Sequence, residues 1–299
     1  NTRRKNKTDM PKVPTQTSNY DFTVEQVPLF DEKGRRSGFF GNQRTDDGTI
    51  LGVTSERYGI QNNAPLIERA ENAFADQGLG DFKREVIVTG EGQRMRAVYD
   101  FPAQVKERCD RKKGDNMGLR LTVQNSFDRS LRVSFAMGIL RLVCTNGMTS
   151  LEKEQSMTKK HSSGNDLDFL GEALEKAIGS WDKALLTYNN LENVKIEQQQ
   201  GLNALHNLAK GGAISDRMAG AVSTIWNNPT YTEDSDRNLY NLYNAVTEHL
   251  TREVEGTRYE LAERVNQKVL KRLDQAARSG AKKDKLLLLP KGEIISFAA

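Results

Sequence analysis

Along the first half of the chain apolar positions recur every second residue, and along the second half every third or fourth. Tyr20, Phe22 and Val24 share one face of an extended stretch, and Asp31-Glu32-Lys33-Gly34 supplies a turn before the next one. Thr49 to Ile60 reads as a further strand or hairpin. Asn62-Asn63-Ala64-Pro65 then sets a cap and an early proline before Leu66, Ile67, Ala70, Ala73 and Phe74, the stripe of one amphipathic helix stopped near Gly78. Lys83 to Thr89 and Gln93 to Phe101 read as a hairpin across Gly90-Glu91-Gly92. A second pair is clearer. Leu119, Leu121 and Val123 alternate with Arg120, Thr122 and Gln124, and beyond the turn at 127–130 Leu131, Val133 and Phe135 alternate with Arg132 and Ser134. One face is core and the other polar. A last apolar stretch, Ile139 to Cys144, ends at Thr145-Asn146-Gly147, where Asn-Gly suits a tight turn.

From Asp166 the period becomes 3.6, with Leu167, Leu170, Leu174, Ile178, Trp181, Leu185 and Tyr188 on one stripe. Further helices are predicted near 191–209, 214–227, 236–252 and 257–278. Residues 279–299, with the run Leu286 to Leu289, read as a strand or docking tail. The pattern therefore predicts an α+β fold: a flexible arm at 1–19, an antiparallel β-rich domain with one packed helix at 20–165, a helical region at 166–278, and a tail. Neither an internal repeat nor a coiled-coil heptad is evident.

At 299 residues the chain can bury a core without disulfides or metal. Cys109 and Cys144 lie far apart, outside any CxxC pair and without a histidine at ligand spacing, which predicts two reduced thiols and no metal. No apolar run approaches the roughly 18 residues of a membrane span, and the start at Asn1-Thr2-Arg3-Arg4-Lys5 leads into polar residues, so a cytoplasmic protein is expected. The net charge of +4 is modest, but its distribution is uneven. Residues 1–12 hold five basic side chains against one acidic, and residues 83–132 hold twelve against seven, so positive charge gathers in the N-terminal half.

Candidate chemistry is sparse. His161, His206 and His249 sit in three separate segments with no recognisable nucleophile motif, and no GxxxxGK[ST] loop is present. Lys210-Gly211-Gly212 reads as a helix end, and Glu253, Glu255, Glu260 and Glu263 interleave with arginines as a solvated helix face. A binding protein without cofactor is expected, not an enzyme. Its candidate site is a sheet face: alternation places Arg94, Arg96, Arg120 and Arg132 on one side, where guanidiniums suit phosphate. Arg3, Arg4, Lys5 and Lys7 of the arm would add nonspecific phosphate contacts. The competing reading is that Glu85, Glu91 and Asp100 neutralise the strand arginines.

Three motifs, Leu51-Gly52-Val53-Thr54-Ser55-Glu56-Arg57-Tyr58 with Gln61-Asn62, then Asn125-Ser126-Phe127-Asp128-Arg129-Ser130, then Arg141-Leu142-Val143-Cys144-Thr145-Asn146-Gly147, resemble the phage/plasmid-like family catalogued as domain of unknown function number 932. The resemblance spans about residues 50 to 200. The family pattern often has His in place of Phe127 and Gly in place of Arg129, changes that bear first on turn geometry. The resemblance implies a phage, prophage or plasmid origin and a role in DNA metabolism. The order of elements is also similar to phage single-strand annealing proteins of the Red-beta type. It implies an oligomeric protein, ring or filament, that holds single-stranded DNA in recombination or replication without nucleotide hydrolysis. The rival is a phage interaction protein that redirects a host protein, with Trp226, Tyr240 and Tyr243 of the helices as anchors.

Overall fold

The computed structural model describes residues 19–107, 116–141, 147–148, 156–159, 161, 169–253, 259–280, 284–289, 295 and 297. Residues 1–18 of the arm with Arg3, Arg4, Lys5 and Lys7, both cysteines, Asn146, and Lys282, Lys283 and Pro290 of the tail lie outside the described residues.

The fold is α+β. Strands β1 (Val24–Phe30), β2 (Arg36–Arg44) and β3 (Ile50–Thr54) form an antiparallel three-stranded meander. Helix α1 (Asn63–Asp76) follows, and then β4 (Lys83–Thr89), β5 (Arg94–Glu107), β6 (Asn116–Ser126), β7 (Val133–Arg141), β8 (Gly147–Met148) and β9 (Ser156–Lys159) build a six-stranded antiparallel sheet. Its order is β4-β5-β6-β7, with β8 and β9 sharing the far edge of β7. The rest of the chain is helical: α2 (Phe169–Asn193), α3 (Gln198–Lys210), α4 (Asp216–Asn227), α5 (Leu239–Glu253) and α6 (Tyr259–Arg278).

Alternation decides which face of the large sheet is greasy. Tyr99, Phe101, Leu121, Val123, Phe135 and Met137 are buried on one side, where α1 inserts Leu66, Ile67, Ala70 and Phe74. Pro65 sits in the first turn of α1, where its missing N–H has no partner to lose. Helix α2 touches β7, α1, α5 and α6, so it joins the sheet core to the helical half.

In the helical half Trp226, Tyr240 and Tyr243 are at most 1% exposed, which makes them core residues and removes them as surface anchors. Helices α3 and α4 approach closely because residue 201 is glycine: a Cβ there would lie 2.4 Å from the Trp226 ring. Helix α3 ends in the Lys210-Gly211-Gly212 segment, where Gly212 adopts φ +67° and the Ala213 N–H bonds the Leu208 carbonyl at 2.9 Å. That is a C-terminal cap and not a phosphate cradle. The segment 284–289 docks on α3, burying Leu286 and Leu287. Asn207 Nδ2 donates to the carbonyls of Lys285, Leu286 and Leu288, and Asn203 Nδ2 to that of Leu287.

Candidate nucleic-acid interface

Two of the three family-like motifs fall on described residues that join the two sheets. Asn42 Nδ2 on β2 donates to the Phe127 carbonyl at 2.6 Å, and Thr54 Oγ1 donates to Asn42 Oδ1 at 3.0 Å. Asn125 Nδ2 donates to the Gln61 carbonyl and to Asn63 Oδ1, while the Tyr58 hydroxyl donates to the Ser126 carbonyl at 2.7 Å. Asn62 occupies the N-cap position of α1, yet its side chain accepts from the Val24 N–H at 2.8 Å and not from the helix. Gly52 lies so close to the 127–128 turn that a Cβ would meet the Phe127 carbonyl oxygen at 2.6 Å. These residues satisfy buried backbone groups between layers, which is a structural task. Arg129 takes φ +67°, the left-handed conformation that glycine adopts freely, so the glycine of the family pattern at this position is explained by the turn. His161 stacks on Tyr58 with ring centroids 4.8 Å apart. Burial holds its imidazole below the usual histidine range, opposed by the carbonyls of Gly59 and Leu131.

The strand arginines are placed as alternation predicts, but they are not an open anion surface. Arg94, Arg96 and Arg120 share the face of the large sheet opposite the α1 core, as the registers Arg96↔Gln124 and Asp100↔Arg120 require. Each meets a carboxylate. Arg120 Nε and Nη2 donate to both oxygens of its cross-strand neighbour Asp100, at 2.5 and 2.7 Å. Arg94 Nε lies 3.3 Å from Asp128, and Arg96 Nη1 lies 3.6 Å from Glu263 of α6. Burial raises the nearby Glu85 carboxyl, with the Arg120 guanidinium opposing the shift. Arg132 is exposed and precedes β7. The face is also covered: Val98, Thr122, Ser134 and Ala136 are buried. Arg94, Arg96 and Arg120 therefore each stand against a carboxylate in a partly covered layer, which leaves little uncompensated charge to draw a polyanion from solution. Asp100 neutralises as the competing reading held, whereas Asp128 and Glu263, distant in sequence, take the places expected for Glu85 and Glu91. Replacing Arg120 by Ala is expected to cost about 1–3 kcal/mol of stability, because it strands a half-buried Asp100. Thermal denaturation will show that loss, and binding of an oligonucleotide will not change.

A row of exposed positive charge stands on α6. Arg264, Lys268, Lys271, Arg272 and Arg278 are all exposed, and the steps of four, three and seven from Arg264 through Lys268 and Lys271 to Arg278 align them, with Arg272 beside Lys271, on one side of the helix. The opposite side of the helix, Val269, Leu270, Leu273 and Ala276, is buried in the bundle. Arg278 pairs with Asp274 at 2.9 Å. Arg264, Lys268, Lys271 and Arg272 carry no salt bridge among the described residues. Arg272, Gln275 and Ser279 continue into a shallow depression of about 250 Å³ that Asp284 and Lys285 complete. The stripe spans roughly 20 Å at ~1.5 Å per residue. It was legible in the i, i+3, i+4 spacing of the cations, but charge counted over long windows hid it, since acidic residues near 253–263 balance the same segment.

Family comparison agrees with the motifs. A family model matches residues 50–284, from β3 through α6 to the start of the docked segment. The chain belongs to the DUF932 family. That family is described only as a domain of unknown function. No curated protein and no solved structure matches the chain. The DUF932 match thus covers the motif residues of the seam and the basic stripe of α6, while β1 and β2, which supply Val24 and Asn42 to the seam, precede it. Among the described residues no helix is long and apolar enough to cross a membrane.

Proposed function

We propose that this chain is a cytoplasmic, phage-type single-stranded DNA-binding and annealing protein that acts in recombination or replication without nucleotide hydrolysis. The observation that carries the reading is the stripe of Arg264, Lys268, Lys271 and Arg272 on α6. Cations in a row release counterions from a phosphate backbone. The geometry favours a single strand over a duplex. An α-helix reads duplex DNA by entering the major groove, and α6 is embedded in the bundle by its apolar side, so it offers one stripe and not a free cylinder. A flexible strand can lie along such a stripe. Along the stripe itself, 264–272, the side chains are cationic, aliphatic or amide and none is aromatic, which suits holding the backbone while the bases stay open to a complementary strand.

The test is annealing itself. With two complementary labelled oligonucleotides and no nucleotide or metal, the protein is expected to accelerate duplex formation, and the acceleration is expected to fade as salt rises. Equal rates with and without protein at low salt would overturn the annealing reading.

A further inference from the structure

The β1–β3 meander has two unlike faces. Its inner face carries Val24, Asn42, Gly52 and Thr54 against the Phe127 turn. A bulge opposite Asn42 and Gln43 turns Leu51 inward as well, where it is 1% exposed and packs with Phe22, Val24 and Phe127. The outer face is built from Val27, Leu29, Phe39, Ile50 and Val53, with the side chains of Leu29 and Ile50 converging over Gly41. Phe39, Val53 and Ile50 are 56%, 51% and 46% exposed. Seven large hydrophobic side chains are exposed among the described residues, and four of them, with Phe30, belong to this small sheet. Scattered apolar residues need no explanation, but a clustered face does.

We infer that a second copy of this chain covers the outer face of the β1–β3 meander, packing on it face to face in a two-fold, antiparallel arrangement. Charge selects the occupant. The apolar face carries Glu25 and no cation, so it offers phosphate no partner, which favours a protein cover over nucleic acid. The two ends of the meander have opposite sign. At the β1–β2 tip Lys33, Arg35 and Arg36 outnumber Asp31 and Glu32 by one, and at the β2–β3 turn Asp46 and Asp47 outnumber their partner Arg44 by one. Antiparallel two-fold packing lays the basic tip of one copy over the acidic turn of the other, as an isologous contact needs. The arrangement is weak by size. Three strands about 20 Å long at ~4.8 Å spacing present roughly 300 Å², below the ~800 Å² per partner of a standard stable interface. The contact therefore forms at high protein concentration, or where copies are held side by side.

Sedimentation velocity on the full chain over a wide concentration range tests this. The wild type is expected to move from monomer to dimer as concentration rises. Val53→Lys is expected to move the midpoint at least about tenfold higher. Because a lysine could disturb the strand, Ile50→Thr provides a second variant with high strand propensity and the same expected direction. The double variant Lys33→Glu/Arg36→Glu should also weaken association, and adding Asp46→Lys/Asp47→Lys to it should restore it. A wild type that stays monomeric at every concentration, or variants that associate like wild type, would overturn the inference. Loss of oligonucleotide binding by monomeric Val53→Lys would assign the face to nucleic acid instead and equally overturn it. The α6 stripe is untouched by these substitutions, so failure here leaves the DNA reading to its own experiment.

Discussion

Phe74→Ala is expected to destabilise the protein by about 3–5 kcal/mol, the usual cost of emptying a buried aromatic site. Phe74 is 1% exposed and is the point where α1 enters the sheet. Its ring meets Tyr99 edge-on at 4.8 Å and Phe101 at 5.3 Å, and Phe82 and Phe135 complete the cluster at 5.9 and 6.0 Å. Removing it leaves a cavity walled by rings held on β5, on β7 and just before β4, so the site cannot readily collapse. At ~2–4 °C per kcal/mol for a domain of this size, the melting temperature should fall by about 10 °C. Leu186→Ala makes the control, since an exposed leucine outside the β1–β3 face has no comparable contacts to lose. A Phe74→Ala melting curve that overlays the wild type would mean that α1 is not the keystone of this core.

The core was legible because period two and period 3.6 each leave a stripe that cannot stay in water. Leu119, Leu121 and Val123 on β6 and Leu66, Ile67, Ala70 and Phe74 on α1 are buried where alternation and helical spacing put them. Boundaries were less legible. Strand β5 runs past Phe101 to Glu107 across a register shift, and β9 at Ser156–Lys159 is too short to announce itself. The candidate site shows where local pattern stops. Alternation put Arg94, Arg96 and Arg120 on one face correctly, but no short-range rule reveals that Glu263, more than 160 residues later, closes over Arg96. Nor does an N-cap asparagine announce that its side chain will serve a distant strand, as Asn62 does for Val24. A row of cations on an amphipathic helix is visible in sequence. That the helix stays embedded and keeps the row outward is a property of packing.

Removing three stripe cations should affect binding more than any other change to the surface. In Lys268→Ala/Lys271→Ala/Arg272→Ala each side chain is exposed, and alanine is the best helix former, so stability should hold. Three lost phosphate contacts at about 1 kcal/mol each amount to roughly two orders of magnitude in affinity. Affinity alone does not prove that phosphates were the partners. The dependence on salt does, because each contact to a single strand contributes about 0.7 to the slope of log K against log salt. The decisive measurement is therefore fluorescence anisotropy of a labelled single-stranded oligonucleotide at graded salt, for the wild type, the triple variant and Arg120→Ala. The account predicts a slope shallower by about 2 for the triple variant and an unchanged slope for Arg120→Ala. A triple variant with the wild-type slope, or a slope that falls for Arg120→Ala instead, would contradict it.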